Sequence, residues 1–599
     1  MKEAIAVVDF GSQYVNLIAN RIRRLGVYAE IVLPTVSLEK LKKYKGMVLS
    51  GGPNSVYSKG APTISKRAFS LGVPVLGICY GHHLMMKLLG GKVDQAEIKE
   101  YGLSHLEVVN QTGLFDKIPM ESQAWMSHGD EVKKLPEGFT VYAKTDDCPY
   151  AATGDEKRKL YSLQFHAEVA HTEVGMDILK NFLDACSVKK TWNMQRFLDD
   201  KMIAIKEQIG DRNVFMLVSG GVDSTVAHTL LSKAIGSKRV YGLLVDTGLM
   251  RKDECKKIVI ALKKIGMENL HVEDASRAFL SALKGECDPE KKRQIIGDLF
   301  LRVQNKVSQR LKLNPNKWML GQGTIYPDTI ESAGTKHADK IKTHHNRVPE
   351  ILELIKKGLV VEPLVELYKD EVRALGTKLG LPDRLVWRHP FPGPGLGVRI
   401  LCTNDVYLPR MVNTLHSWLA KHLVDQKLHQ AVLPIRSVGV QGDSRTYKNP
   451  LVVWGADHSF TKLEWISTAL TNTFSEINRV CLLLTPVRFK SVRVVRASIT
   501  KPRVALLQKL DEIVMNFIVK NELNRKIWQL PTVLVPLHFN SVKKEAVVLR
   551  PVCSDEAMTA NFYKMNRKLL VELTALLAPH VSAVLYDITN KPPGTIEWE

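Results

Sequence analysis

The chain has 599 residues, 45% of them apolar and 24% charged, a globular composition too long for one hydrophobic core. Lysine and arginine outnumber aspartate and glutamate by 84 to 62, and the net charge of +22 favours anionic ligands. The eight cysteines form no Cys-x-x-Cys pair, and the doublets His82–His83 and His344–His345 lack ligand spacing, which argues against a disulfide framework and a structural zinc site.

No segment reaches the ~18 apolar residues of a membrane span. The first apolar run ends at Asp9, too soon for a secretory signal, so a cytoplasmic protein is expected. Neither an RNA-binding aromatic signature nor a helix-turn-helix accompanies the basic charge, and nucleic acid is not expected as a partner.

From residue 1 to 188 short apolar strands alternate with helical patterns. The runs "AIAVVDF", "GMVLSGG" and "VPVLGICYG" each end in a Gly-bearing turn, which predicts a doubly wound α/β domain with ligands at the strand ends. Cys79 sits between a strand and a helix with Gly77 and Gly81 around it, the placement of a nucleophile elbow. A helix N-terminus favours a thiolate. In "LYSLQFHAE", His166 and Glu168 are two apart and share a face if the segment is extended, so Glu168 can orient the imidazole. A cysteine, a base and a carboxylate together suit acyl transfer through a thioester. The turn "SGGP" offers backbone N–H groups for the oxyanion.

These pieces, with "SHGD" at Ser127–Asp130, closely resemble the class I glutamine amidotransferases. The resemblance implies glutamine hydrolysis by Cys79 as nucleophile, His166 as base and Glu168 as third member, with Gly51, Gly52 and Tyr80 around the oxyanion. Two residues depart from that family: His83 replaces a glutamine that helps hold the substrate, and Ala167 replaces a proline.

Residues 186–193 read as a linker, followed by a helix carrying Met194, Phe197, Leu198, Met202, Ile205 and Ile209. A second α/β domain is expected over 189–388. Its strand "VFMLV" runs into "SGGVDST", whose Ser219, Gly220, Gly221, Val222, Asp223, Ser224 and Thr225 form a phosphate cradle at a helix N-terminus. The lysine of a G-x-x-x-x-G-K-[ST] loop is missing. Asp223 repels bare phosphate, so it suits Mg2+ or a hydrogen bond within the loop. The loop resembles that of the ATP pyrophosphatases, which implies that it holds the β- and γ-phosphates as a leaving group while AMP is transferred. "LLVDTGLMR" fits the adenosine-facing strand.

"RHPFPGPGLG" breaks the pattern and opens an α+β domain over 389–599 with Val-rich strand candidates such as "SVRVVRASI" and "EAVVLRPV". "FPGPGLGVRI", "LPIRSVGVQGDSRTY" and "DITNKPPGTIEWE", together with "TIYPDTIES" and "IKTHHN", closely resemble the GMP synthase family. That implies glutamine, ATP and xanthosine monophosphate (XMP) as substrates. By matched motif, Arg293, Asp443, Gln529, Lys591 and Glu597 should contact XMP. The region 389–599 is longer than the bacterial dimerisation domain and resembles the eukaryotic form, which leaves monomer and homodimer both open. An NAD synthetase shares the pyrophosphate loop but not "KPPGTIEWE"; a basic binding protein without turnover has no need of the Cys79, His166 and Glu168 set.

Overall fold

Strands that read as unbroken apolar runs lie in the middle of parallel sheets, where both faces are covered. The computed structural model describes residues 3–12, 14–169, 171–332, 349–407, 428–441, 444–455, 459–554 and 560–599. Asp443, His344, His345 and the "IKTHHN" stretch fall outside them. The chain divides into two units, one running to Lys201 and including the segment from Ile325, the other holding Met202–Thr324 and Pro349–Glu599.

The first unit is built on nine strands: β1 (Ala4–Val8), β2 (Tyr28–Val32), β3 (Gly46–Leu49), β4 (Val75–Ile78), β5 (Lys92–Val108), β6 (Glu121–Lys134), β7 (Thr140–Lys144), β8 (Ala152–Asp155) and β9 (Leu160–Leu163). Their order is β2-β1-β3-β4-β9-β8-β7-β5-β6. The first five run parallel and the remaining four continue antiparallel. Strands β1, β3, β4 and β9 are buried at every position.

In the second unit, β10 (Asn213–Leu217), β11 (Val240–Asp246), β12 (Leu270–Asp274), β13 (Trp318–Gly321) and β14 (Val360–Val361) form an all-parallel sheet ordered β12-β11-β10-β13-β14. The order reverses at β10, and the crevice there is where a doubly wound sheet takes its ligand. The expected doubly wound α/β class is thus found in both units, and the C-terminal part is α+β.

That part holds a mixed sheet in the order Leu428–Val432, Ser444–Gly455, Ile477–Thr485, Val584–Asp587, Ala546–Leu549 and Thr532–Val535. Its side chains alternate between two cores, as strand geometry requires. Val453, Val547, Leu549, Val584 and Tyr586 pack with residues of helices Phe460–Thr473, Lys501–Lys520 and Arg567–Leu577. Val452, Val548, Leu585 and Trp598 pack on the opposite face. The first of these cores also takes in Phe215, Leu243 and Leu249, so the parallel sheet and the mixed sheet share one apolar interior.

Candidate active site

In the first unit a cavity of about 690 Å3 opens beyond the carboxyl ends of β1, β3, β4 and β9. Cys79 stands on its wall, between β4 and the helix Tyr80–Leu89. Its backbone has φ 51° and ψ −107°, a conformation that non-glycine residues rarely adopt. The neighbouring glycines make the turn possible. A Cβ on Gly81 would lie 2.3 Å from the Leu49 carbonyl, and one on Gly77 would lie 2.6 Å from the Gly81 carbonyl. The Cys79 N–H donates to the Leu163 carbonyl at 2.8 Å, which pins the turn to β9.

His166 follows β9 and lines the same cavity. Its Nδ1 lies 2.7 Å from Glu168 Oε1, and both residues are buried. The pair forms in a turn past the strand end rather than on an extended segment, and the geometry between the two side chains is the one expected. Burial penalises the charged imidazole, but Glu168 and a hydrogen bond to Cys79 outweigh it and hold the pKa up to about 10. Arg21 Nε donates to the Glu168 carbonyl at 3.0 Å and fixes the turn.

Gly52 and Tyr80 both face the cavity. A Cβ on Gly52 would meet the Phe10 carbonyl at 2.7 Å, and one on Gly51 would lie 3.4 Å from the His166 ring. The Tyr80 N–H begins a helix and has no acceptor within it. The Tyr80 hydroxyl donates to the Pro62 carbonyl at 2.5 Å, and burial pushes its pKa up to about 12. His83 also lines the cavity, with Nε2 2.6 Å from Gln164 Oε1. Burial pushes its pKa down to about 4, so it is a neutral ring.

Glu100, His128 and Cys148 lie close enough to share an ion. Hydrogen bonds already engage the carboxylate and the imidazole: Glu100 accepts from Ser104, Thr145 and His128 at 3.2, 3.0 and 3.1 Å, and His128 Nδ1 lies 2.9 Å from the Asp130 carbonyl. Burial pushes the Cys148 thiol up to about 12, which disfavours the thiolate that a metal would need.

In the second unit the loop after β10 carries Ser219–Thr225 into the helix Val222–Ile235. Gly220 has φ +77°, and a Cβ there would lie 2.5 Å from Ile258. The serines brace the loop. Ser219 Nα–H donates to Ser224 Oγ at 3.2 Å, Gly221 N–H to Ser219 Oγ at 3.3 Å, and Ser224 Oγ to the Gly221 carbonyl at 3.3 Å. Val222 and Thr225 are buried in the first turn of the helix. Two basic side chains that no local spacing announces complete the loop. Lys369 pairs with Asp223, and Arg388 donates to the Gly220 carbonyl while pairing with Glu254. Asp223 Oδ1 is buried without a hydrogen-bond partner among the described residues, a free carboxylate oxygen of the kind a cation takes.

The C-terminal tail is held by buried charge. Asp587 lies between Arg479 and Arg550 at 2.9 and 3.2 Å, with all three shielded from solvent. It also accepts from Trp598 Nε1 and from the Thr589 N–H, at 2.9 and 3.0 Å. Arg399 grips Glu597 through two bonds of 3.0 and 2.8 Å, and Gln529 Nε2 donates to the same carboxylate at 2.9 Å. Lys292 pairs with Glu599, and Arg293 donates to the Glu599 carbonyl. Lys591 pairs through its backbone with Ala560. The structure thus brings Gln529 directly to Glu597, and Arg293 to the last residue of the same tail.

Residues 6–186 match the family described as Glutamine amidotransferase class-I, residues 193–323 the family described as NAD synthase, and residues 516–598 the family described as GMP synthase C terminal domain. An amidotransferase joined to a nucleotide-activating synthetase is the class that fold and sites define. Among similar proteins, a probable glutamine-hydrolyzing GMP synthase of Leptospira interrogans is 47% identical over 604 residues, 99% of each chain. Glutamine-hydrolyzing GMP synthases of Lactobacillus johnsonii and Clostridium novyi are each 44% identical, over 80% of this chain and 95% and 96% of theirs. The chain belongs to the glutamine-hydrolyzing GMP synthase family. The length of the C-terminal region, read as a likeness to the eukaryotic form, does not set the chain apart from bacterial relatives, since the Leptospira interrogans protein is matched over 99% of both chains.

Among the described residues, no helix is long and apolar enough to cross a membrane.

Proposed function

We infer that this chain makes GMP from XMP, with glutamine as nitrogen donor and ATP as activator. The observation that carries the reading is the Cys79–His166–Glu168 set on the same chain as the braced Ser219–Thr225 loop. Glu168 favours His166 as the imidazolium that has taken the Cys79 proton, and Cys79 Sγ attacks the glutamine amide carbon as the thiolate. Gly52 and Tyr80 N–H groups stabilise the oxyanion. The imidazolium, favoured by Glu168, returns the proton to the departing ammonia. Water then hydrolyses the thioester to glutamate.

In the second unit the loop holds the β- and γ-phosphates, and the 2-oxygen of XMP attacks the α-phosphorus. Pyrophosphate leaves. A ring carbonyl oxygen is a poor leaving group, and its AMP ester is a good one. Ammonia adds at carbon 2 and expels AMP, giving GMP. Mg2+ carried with ATP supplies charge neutralisation to the phosphates, and Asp223, with its free Oδ1, would hold it. Lys369 and Arg388 add positive charge beside the loop.

Arg293, Asp443, Gln529, Lys591 and Glu597 form the XMP site in this reading. Support comes from the Gln529–Glu597 bond and from Arg293 Nε, which is buried without a hydrogen-bond partner among the described residues. The functional division is 1–188 amidotransferase, 189–388 ATP pyrophosphatase and 389–599 XMP-binding, in a cytoplasmic monomer or homodimer without nucleic acid. Isotope transfer tests the chemistry. XMP labelled with 18O at position 2 should deliver the label to AMP and none to pyrophosphate. Label in pyrophosphate, or none in AMP, would refute adenylation.

A further inference from the structure

Between the pyrophosphate loop and the C-terminal tail runs a line of alternating charges, all within the second unit. Arg388, bonded to the Gly220 carbonyl, pairs with Glu254. The other Glu254 oxygen accepts from the Arg251 N–H at 3.0 Å. The Arg251 side chain lies 3.2 Å from Asp511 on the helix Lys501–Lys520. Asp511 faces Arg399 at 3.9 Å, and Arg399 holds Glu597. The ring of Phe391 lies 4.9 Å from the Arg251 guanidinium and 5.1 Å from that of Arg399.

Asp511 is 2% exposed, so solvent screens its charge from the two arginines less than it would at the surface. Its bonding differs from that of Asp587, which hydrogen bonds saturate. Asp511 Oδ1, Arg251 Nε and Arg399 Nη1 are all buried without a hydrogen-bond partner among the described residues. Such a junction is held by charge rather than by fixed hydrogen bonds. It can tighten or slacken when either arginine moves, which a saturated structural carboxylate does not do. The same helix grips the loop after β11 a second time, through Gln508 Nε2 to the Met250 carbonyl at 2.8 Å.

We propose that Asp511 is a positioning residue that couples the ATP loop to the XMP tail, so that the two nucleotides bind cooperatively. The inference rests on the functional reading above. Arg251 closes the loop expected to face adenosine, and Glu597 lies in the tail expected to face XMP. A ligand that draws either one inward pulls on the other through Asp511.

The test is equilibrium binding of XMP to the full chain, with and without magnesium α,β-methylene ATP, which cannot be split at the α-phosphorus. In the wild type the analogue should tighten XMP binding about tenfold. Asp511→Asn should lose most of that factor while its affinity for XMP alone stays within about threefold. Asp511→Glu should retain it, which a role in packing alone does not predict. If Asp511→Asn fails to fold, Phe391→Leu carries the test, since it removes the ring between the guanidinium groups and keeps an apolar side chain. Unchanged coupling in a folded Asp511→Asn or Phe391→Leu protein would overturn the proposal, as would a wild type that binds XMP without coupling. A wild type that binds no XMP would instead overturn the functional reading, and this inference with it.

Discussion

At the residue scale, the proposed amidotransferase chemistry depends on how one buried carboxylate sets the charge of one imidazole. Glu168 holds His166 protonated toward a pKa of about 10. The folded value lies above that of a free histidine, so this pair stabilises the fold fully below about pH 6.5 and loses that effect as pH rises through 10. Glu168→Gln removes the charge and should move the alkaline limb of glutamine hydrolysis to lower pH by at least about one unit. A pH profile of kcat/KM for glutamine checks this, and an unchanged limb would remove Glu168 from the triad. His83 offers the second residue-scale test. Its Nε2 is engaged by Gln164, so it presents less to a substrate than the amide that the family carries there. His83→Gln should raise kcat/KM for glutamine by about 3- to 30-fold, the worth of one or two net hydrogen bonds, with the gain appearing in KM.

At the element scale, the pyrophosphate loop needs glycine where the chain turns into its helix. Any side chain at Gly220 meets both a positive φ and Ile258. Gly220→Ala should suppress GMP formation with either nitrogen source and lower stability by about 1–2 kcal/mol, read by denaturant unfolding. The tail makes the complementary point. Asp587→Ala leaves Arg479 and Arg550 buried and unpaired, and should cost about 3–5 kcal/mol. What could be read from the sequence follows from the range of each signal. The Cys79 turn and the Ser219–Thr225 loop are local patterns of strand, glycine and helix, and the structure places them as expected. Lys369, Arg388 and Arg399 were not legible, because they act on partners 146, 168 and 198 residues away. "KPPGT" argues in the sequence for an ordered tail, but nothing in its spacing reveals the Arg479–Asp587–Arg550 cluster that orders it.

At the scale of the whole molecule, several imidazoles are buried neutral. Burial pushes His83, His228 and His389 down to about 4. An unfolded chain binds protons at these sites from about pH 6.5 downward, so stability is full above that pH and falls toward pH 4. Melting temperatures should drop steadily over this window. His228 has neither ring nitrogen hydrogen-bonded among the described residues, and His228→Leu should flatten the fall. The tandem arrangement also predicts low glutaminase activity until ATP and XMP are both present. Full glutaminase activity with glutamine alone would contradict that coupling.

The central claim is that one chain both releases ammonia and spends it on an adenylated XMP. The direct measurement is GMP formation from XMP, ATP and Mg2+, with glutamine and separately with ammonium, for the wild type and Cys79→Ala. The account predicts that the wild type works with both nitrogen sources and that Cys79→Ala loses only the glutamine-supported rate. No GMP from either source, or loss of both rates on replacing Cys79 alone, would contradict it.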